Sequence, residues 1–464
     1  MGVNFSSFEI GRRALRASQL GVTIAGQNIA NVNTPGYSRQ AIQLSATPVD
    51  GSNIRLTGVG VTIDGVKAFR DRFVESRLQT ETGITGRLTA KRDALAPVDA
   101  ALNETTSGGG ISSAITGFFN SFRDLEANPA SVEVRAAVVG KGSVLAEAFH
   151  QTRARLVDIR READGALRSA ASEVNALSAR IADLNVQISV AENTGANAHE
   201  LRDQRGEALR QLAELTGART VENQDGTVTV TLGDGRPLVQ AGRVWSLDVA
   251  SAPPDGLAAL QLDGAPAIIS DGRLRGLLDA IGEIGAQIGA LDDLAASITA
   301  RVNALHASGA DLDGNAGTNF FAVPSGGQPV TAANINVSAQ LAANPRLVVA
   351  AAVGGGSGDA TVARSIGGLL TDQTSVAGSR TGSFSSIYAS IVKDAGDGVR
   401  DAEDSLVTQQ AILAQAAAQR DAASGVSLDE EAINLLQYQK AYEAAARFLK
   451  VADEMTQTII SLGQ

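Results

Sequence analysis

Both ends of the chain carry a stripe of apolar and small residues at heptad-like spacing. The N-terminal stripe consists of Phe8, Gly11, Leu15, Ser18, Val22, Ala25, Ile29 and Val32. The C-terminal stripe consists of Leu435, Tyr438, Tyr442, Ala445, Leu449, Ala452, Thr456 and Ile459. Steps of three and four are typical of a coiled-coil seam, in which small residues let a partner backbone approach closely. Each end is therefore predicted to be a helix that needs a partner.

Local signals predict where these two helices begin. Ser6 and Glu9 have capping-box spacing, which predicts a helix start at Ser6. Ser427 and Glu430 have the same spacing, and the acidic residues 429–431 lie where the helix dipole favours negative charge. We interpret those three carboxylates as helix-start charge rather than as a catalytic pair.

The interior of the chain predicts further long helices. A heptad pattern indicates a helix from about 132 to 192, followed by a shorter helix over 198–216 that Gly217 ends. Apolar periodicity indicates another helix over 277–305 and a fourth over 385–423.

Two segments have a different character. In residues 218–270, "DGTVTVTLGDGRPLVQ" places Asp-Gly turn signals around alternating apolar residues, which predicts antiparallel hairpins. Residues 311–360 are rich in Gly, Asn and Ala, and we interpret them as strand with loop. The run "GVGVTIDG" at 58–65 is interpreted as a hairpin, because it lacks the third glycine of a dinucleotide-binding loop.

Together these elements predict a mainly α fold with β-rich insertions. The expected architecture is a long helical bundle or coiled-coil rod that carries small antiparallel β domains. The terminal coiled-coil domain is predicted to comprise residues 1–33 and 428–464. The long helical bundle domain, with a β-hairpin near 40–66, is predicted to comprise residues 34–217, 271–310 and 361–427. The outer β-rich domain is predicted to comprise residues 218–270, with 311–360 as a candidate addition.

The stretch "NIANVNTPGYSRQ", residues 28–40, is predicted to end the first helix in a turn. The proline at position 35 disfavours helical backbone angles at Thr34. The Pro35 ring fixes its own φ, and Gly36 can adopt the positive φ of a type II turn. Asn28 and Asn31 share one helix face, and we hypothesise that they set register in a packed interface. The turn motif comprises Asn28, Asn31, Asn33, Thr34, Pro35, Gly36 and Tyr37.

Composition excludes several classes of partner and export signal. The net charge is −11 and no run of Lys and Arg occurs, so neither nucleic acid nor an anionic membrane is an expected partner. Absence of cysteine excludes disulfides and thiolate chemistry. No apolar run reaches the roughly 18 residues that span a bilayer. The first 30 residues lack the apolar core of a signal peptide, so export would occur without a cleaved signal.

No residue pattern indicates catalysis or metal binding. His150, His199 and His306 are far apart in sequence and are each expected on a polar helix face. "DLDGNAG" at 311–317 lacks the glycine and glutamate positions of an EF-hand and is interpreted as an Asx-rich turn. Ser38 has neither His nor Lys within ten residues. We therefore predict no catalytic, cofactor or metal site, and no enzyme.

Five stretches resemble a known family. They are "GQNIANVNTPGYSRQ", "GVGVTIDGVKAFRDRF", "LRDQRGEALRQLAELTG", "VNALHASGADLDGNAGTNFF" and "SGVSLDEEAINLLQYQKAYEAAARFL". The chain resembles the bacterial flagellar axial proteins, and within that family it is most similar to the hook-filament junction proteins. Its interior is compact, which suggests that an outer domain of longer members is missing or reduced.

The resemblance implies a structural subunit that joins hook to filament outside the cell. It implies export through the flagellar type III apparatus, pairing of the terminal helices in the inner wall of a tube, and a chaperone bound near the C-terminal helix. The implied partners are further copies in a ring or tube, the hook protein and a second junction protein.

The residues expected to carry assembly are the large members of the two stripes. They are Phe8, Leu15, Val22, Ile29, Leu435, Tyr438, Tyr442, Leu449 and Ile459. Such seams should be poorly ordered until assembly buries them. Two alternatives remain: a hook or distal rod subunit, and a secreted hydrolase with an Asp/Glu pair in residues 311–360.

Overall fold

The computed structural model describes residues 2–46, 60–102, 110–252 and 256–462. Within those ranges the helices are α1 (Gly2–Ala30), α2 (Arg72–Leu102), α3 (Ile111–Ala127), α4 (Val132–Asn193), α5 (His199–Thr216), α6 (Gly272–Ala307), α7 (Ala339–Ala343), α8 (Thr361–Gly368), α9 (Phe384–Ser424) and α10 (Leu428–Leu462). The predicted mainly α fold class is confirmed.

Small antiparallel sheets interrupt the helices. The strands are β1 (Gln40–Ala46), β2 (Val61–Ala68), β3 (Arg219–Glu222), β4 (Val228–Thr231), β5 (Pro237–Gln240), β6 (Arg243–Val244), β7 (Leu247–Ala252), β8 (Leu257–Leu262), β9 (Ala265–Pro266), β10 (Gly309–Ala310), β11 (Ala351–Ala352), β12 (Ser375–Ala377) and β13 (Arg380–Gly382). The sheet orders are β1-β2, β3-β4-β5-β6, β7-β8-β9, β10-β11 and β12-β13. The described part of the "GVGVTIDG" run contributes to β2, which pairs antiparallel with β1, so the predicted β-hairpin near 40–66 is confirmed.

The long helix α4 contains 62 residues, which corresponds to about 93 Å at ~1.5 Å per residue. Its start is capped by Ser131, whose hydroxyl accepts a hydrogen bond from the Val134 N–H. The predicted span of 132–192 is therefore confirmed. Helix α5 ends at Gly217, as predicted, and Gly217 adopts a left-handed conformation.

Two hydrophobic cores lie along the bundle. In the first core, α3 and the beginnings of α4 and α9 pack against the later part of α6, around a cluster of phenylalanines. In the second core, the later part of α4 packs against α5, the start of α6 and the sheets of residues 219–266. Helices α2, α4 and α6 contribute residues to both cores.

The predicted hairpins in residues 218–270 are confirmed, and they pack directly on the helices. Val228, Val230 and Leu232 point into the second core and are almost completely buried. The Asn185 amide of α4 donates to the carbonyls of Val228 and Ala241 at 3.0 and 2.9 Å, so a helix side chain fixes the sheet in place.

Residues 311–360 are not β-rich, and the sequence interpretation is wrong there. This segment contains α7, two 3-10 turns (Ser325–Gly327 and Pro345–Leu347), and the two-residue strand β11. Phe320, Ile335 and Val349 are fully buried in the first core. The physical reason is spacing: apolar residues come singly or in short runs between Gly, Asn and Pro, so they fill the core instead of forming a strand ladder.

The terminal helices α1 and α10 pair in an antiparallel arrangement, because Gly11 lies beside Leu449 and Gly21 beside Tyr438. Helix α1 begins by Gly2, so the predicted start at Ser6 is wrong; the Ser6 side chain lies outside the described residues. The Glu9 carboxylate pairs with Arg12 and Arg13 instead of turning back to cap the helix.

Candidate assembly interface

The contact between α1 and α10 is lined mainly by small residues. On α1 the buried positions are Gly11, Ala17, Ser18, Gly21, Ile24, Ala25 and Asn28. On α10 they are Glu431, Ala445 and Ala452. This face lies slightly to one side of the stripe that the sequence predicts, so the large predicted residues lie at its edges.

The predicted seam residues therefore fall into two groups. Half-buried residues border the contact: Phe8, Leu15, Val22, Ile29, Leu435, Tyr438 and Leu449. Tyr442 and Ile459 are 44% and 55% exposed. Pairing of α1 with α10 leaves those two side chains largely uncovered.

Glycine allows the two helices to approach closely. A Cβ atom added at Gly21 would lie 2.5 Å from the Tyr438 ring, and one at Gly11 would lie 2.6 Å from the Leu449 side chain. Real Cβ atoms do not come that close to other heavy atoms, so this separation of α1 and α10 requires residues without a side chain.

Helix α10 also presents an apolar face that the rest of the chain does not cover. The large hydrophobic residues of this face, with 45–59% exposure, are Ile433, Leu436, Phe448, Val451, Met455 and Ile459. Exposed apolar residues grouped along one helix are characteristic of an interaction surface. We call this set the α10 apolar face.

The turn after α1 has the geometry expected of Pro35-Gly36. Gly36 has a φ of 80°, and the Tyr37 N–H donates to the Thr34 carbonyl at 3.2 Å. The Asn31 amide donates to the Gln27 carbonyl of α1, and Asn31 accepts a bond from the Thr34 hydroxyl. Asn31 therefore caps its own helix and contacts no second helix through these bonds. Asn33 is exposed.

Asn28 is fully buried and joins three parts of the chain. Its amide nitrogen donates to the Gln40 carbonyl at 2.8 Å and to the Glu431 carboxylate at 3.0 Å. Its amide oxygen accepts from the Tyr37 hydroxyl at 2.8 Å and from the Gln40 N–H at 3.0 Å. Burial raises the pKa of Tyr37 to about 12, which keeps the phenol protonated and able to donate.

Further side chains fix the same turn to α5 and α9. The Ser38 hydroxyl and N–H donate to the Asp203 carboxylate at 2.9 and 3.1 Å, and Arg420 donates to the Tyr37 carbonyl at 2.8 Å. Burial raises the pKa of Asp203, while the charge of Arg70 and the bonds from Ser38 oppose that shift. Ser38 thus has a carboxylate partner that is 165 residues away in the sequence.

Sequence reasoning missed Asp203, Arg420 and the burial of Glu431. Glu431 looked like ordinary helix-start charge, and it does lie in the first turn of α10. No local spacing relates these residues to the turn, because their partners are brought together only by the fold.

The three histidines serve as hydrogen-bonding groups. His150 and His199 are half-buried and bond to the carbonyls of Ile335 and Val66 at 2.9 and 2.8 Å. The expectation of a polar helix face is wrong for His306, which is fully buried in the first core. The reason is that both of its ring nitrogens have backbone partners, so burial leaves no polar atom unpaired.

The acidic residues of 311–360 are engaged in structural bonds. Asp311 accepts from the N–H groups of Asp313 and Asn315, as in an Asx turn. Arg346 lowers the pKa of Asp313, and the Thr361 hydroxyl and nearby N–H groups lower the pKa of Asp359. Among the described residues, no three His, Cys, Asp or Glu side chains are grouped to hold a metal ion.

Comparison with known proteins identifies the interior of the chain. Residues 95–321 match the model of the flagellar hook-associated protein FlgK helical domain. Residues 8–37 match that of the flagella basal body rod protein, and residues 417–462 match that of the flagellar basal body rod FlgEFG protein C-terminal region. Flagellar hook-associated protein 1 of Bacillus subtilis (strain 168) is 28% identical over 502 residues, covering 99% of each chain.

The chain is similar to flagellar hook-associated protein 1 over almost its whole length.

Another relative of that name, from Escherichia coli (strain K12), is 24% identical over 540 residues, covering 97% of this chain and 98% of its own. That alignment is longer than the 464 residues of this chain, so the relative contains segments that are absent here. The flagellar hook junction protein FlgK from Burkholderia pseudomallei shares the fold with a TM-score of 0.66 and 16% identity, over 75% of this chain and all of that one.

Similarity of the whole chain to flagellar hook-associated proteins supports a structural role in the bacterial flagellum. The two terminal matches coincide with α1 plus its turn and with the end of α9 plus α10. Among the described helices, none is long and apolar enough to cross a membrane.

Proposed function

We propose that this chain is the subunit that joins the flagellar hook to the filament, and that its copies assemble in a ring through their terminal helices. The observation that carries the proposal is the α10 apolar face. Helix α1 covers one side of α10, and the six large hydrophobic residues of the face remain 45–59% exposed. Identical copies that repeat such a contact head to tail form a ring or tube rather than a closed dimer.

The match over residues 95–321 supports a junction subunit rather than a hook or distal rod subunit. The terminal matches to rod proteins concern segments that axial proteins share, whereas the interior match is to the hook-associated helical domain. A deletion strain distinguishes the two functions. Loss of a junction subunit should leave complete hooks and release flagellin into the medium, whereas loss of the hook protein should leave no hooks.

The proposal includes the route and the partners. The subunit leaves the cell through the flagellar export apparatus without a cleaved signal, and a chaperone covers the C-terminal helix before export. The α10 apolar face supports this, because an exposed helix of that composition needs covering before assembly. Outside the cell its neighbours are further copies, the hook protein and a second junction protein.

We further propose that the subunit has no enzymatic activity. In residues 311–360, where a hydrolase would need a desolvated general acid, the resolved pKa shifts of Asp313 and Asp359 are downward. A general acid requires a raised pKa.

The test replaces exposed members of the α10 apolar face. Leu436→Asp with Val451→Asp should leave the circular dichroism of the purified chain nearly unchanged, because both side chains are more than half exposed. In a deletion strain this variant should release flagellin into the medium and fail to restore swimming, since two carboxylates cannot be buried at a subunit contact without a large desolvation cost.

The matched control is Gln437→Asp with Thr458→Asp, which adds the same charge at exposed polar positions of α10. Cells with this control should swim substantially better than cells with the Leu436/Val451 variant. Normal filaments on cells with the Leu436/Val451 variant would refute assembly through this face.

A further inference from the structure

We propose that Asn28, Arg39 and Glu431 form a polar clasp that fixes the register of α1 against α10 and is the point at which the two helices begin to pair. The three residues link the end of α1, the start of β1 and the first turn of α10. The inference concerns the folding of a single chain and does not depend on the proposed function.

Asn28 can occupy this position in one register only. Its side-chain amide has two donors and one oxygen acceptor with two lone pairs, and all four are used. Three of these bonds go to Tyr37 and Gln40, which follow Asn28 within twelve residues. The fourth goes to Glu431, and it is the bond that ties α1 to α10.

Glu431, on α10, is also held in position by its hydrogen bonds. Its side chain is 3% exposed, and its two carboxylate oxygens accept from the Arg39 Nε at 2.8 Å and from Asn28 at 3.0 Å. Arg39 also reaches Glu430 at 2.9 Å, so two successive carboxylates of α10 face one guanidinium. A buried carboxylate is tolerated only when it is paired and hydrogen-bonded, as here.

Arg39 is fixed by backbone hydrogen bonds, so it would not move with α10 if that helix shifted along α1. Its N–H donates to the Ser424 carbonyl of α9 at 2.9 Å, and its carbonyl accepts from the Phe69 N–H at 2.8 Å. A slip of α10 by one helical turn would bring Leu435 or Ser427 to the level of Asn28. The amide and the guanidinium would then lose their partner inside the protein, and unpaired buried polar groups are strongly unfavourable.

The hydrogen bond between Asn28 and Glu431 ties the two helices together at the first turn of α10. Beyond Tyr438, among the residues whose side chains are described, the buried positions of α10 are Ala445 and Ala452, which bury little apolar surface. Forming the first turn is the costly step of helix formation. The clasp fixes that first turn, with the Ser427 carbonyl accepting from the Glu431 N–H. Pairing should therefore begin at the clasp and extend toward the ends of the chain.

Hydrogen exchange of the purified full-length chain tests the order of pairing. Amides in residues 24–40 and 428–438 should exchange at least tenfold more slowly than those in residues 445–462. Glu431→Ala should remove that protection on both sides of the clasp, including the α1 side, while exchange in α6 stays unchanged. The matched control, Glu443→Ala, removes an exposed carboxylate of α10 that pairs with Lys440, and it should change nothing.

Distance measurement tests the register. Because the chain has no cysteine, spin labels can be placed at Gly26→Cys and Lys440→Cys, both of which are exposed. The unmodified clasp should give one narrow distance. Glu431→Ala should broaden it or shift it by up to about 5.4 Å, which is the axial displacement of a one-turn slip.

The proposal is overturned if residues 24–40 and 428–438 exchange as fast as the far end in the unmodified chain. It is equally overturned if Glu431→Ala leaves both exchange and the label distance unchanged. If Glu431→Ala also speeds exchange in α6, the Glu431→Gln variant tests the proposal instead. Glutamine keeps an acceptor for Asn28 but loses the charge opposite Arg39. Faster exchange confined to the clasp in that variant supports the proposal, and unchanged exchange refutes it.

Discussion

At the scale of single residues, His306 shows how an ionisable group can be placed in an apolar core. Its Nε2 accepts a hydrogen bond from the Val349 N–H at 2.9 Å, so that nitrogen carries no proton. Its Nδ1 must then carry the proton and donate to the Thr318 carbonyl. Protonation of Nε2 would break the bond to Val349, and burial lowers the pKa of His306 to about 4.

This geometry predicts a pH dependence of stability. An unfolded histidine has a pKa of about 6.5. Between pH 6.5 and 4 the unfolded chain binds the proton that folded His306 does not, so stability is lost as pH falls through this window. The contribution approaches about 1.4 kcal/mol per pH unit.

Urea unfolding between pH 4 and 7.5 would measure this contribution. The His306→Gln variant should lose that share of the pH dependence, whatever its stability at neutral pH. His199→Gln, at a half-buried position, serves as the control. Equal slopes for the unmodified chain and His306→Gln would contradict the prediction.

The same scale shows what sequence could predict about the turn motif. Pro35-Gly36 fixes the turn through backbone sterics alone, so that part was predictable. Asn28 was singled out for register, but its partner was not, because Glu431 is 403 residues away in the chain. The local spacing of residues cannot reveal a role that depends on a charged group far away in the sequence.

At the scale of elements, the close approach of α1 and α10 gives opposite expectations for two glycines. Gly21→Ala places a methyl group 2.5 Å from the Tyr438 ring, so it should push the helices apart and speed hydrogen exchange in α10. Gly26→Ala meets nothing within 4 Å. It should slow exchange in α1, since alanine favours a helix by about 1 kcal/mol over glycine. Equal effects of the two substitutions would refute the close contact.

Elements differ in how well their sequence reveals them. Helices α4, α5, α6 and α9 bury regularly spaced aliphatic residues, and their patterns predicted them. Helix α2 was missed because small residues such as Thr82, Gly83 and Gly86 occupy much of its buried face. Such a face has no apolar period to detect. Helix α3 was also missed, although its phenylalanines form the centre of the first core.

At the scale of the whole molecule, α2, α4 and α6 belong to both hydrophobic cores. Neither core can unfold without disrupting helices that the other core needs. The bundle should therefore unfold as one cooperative unit despite its length.

The single tryptophan makes this testable. Trp245 packs against the second core, whereas Phe118 is fully buried in the first. Phe118→Ala should destabilise the chain by about 3–5 kcal/mol. Trp245 fluorescence should report the same lowered unfolding midpoint as circular dichroism. Phe73→Ala, at a position that is 77% exposed, should leave the midpoint unchanged. A Trp245 transition that does not move with Phe118→Ala would show that the cores are independent.

The continuity of α4 has a mechanical consequence. Under the proposed function, the subunit must pass the torque of the flagellum from one neighbour to the next. A single helix that is gripped by side chains in two separate cores resists twisting along its whole length, because any rotation of one core against the other must strain its backbone hydrogen bonds. The 62-residue helix α4 should therefore resist rotation of one core against the other.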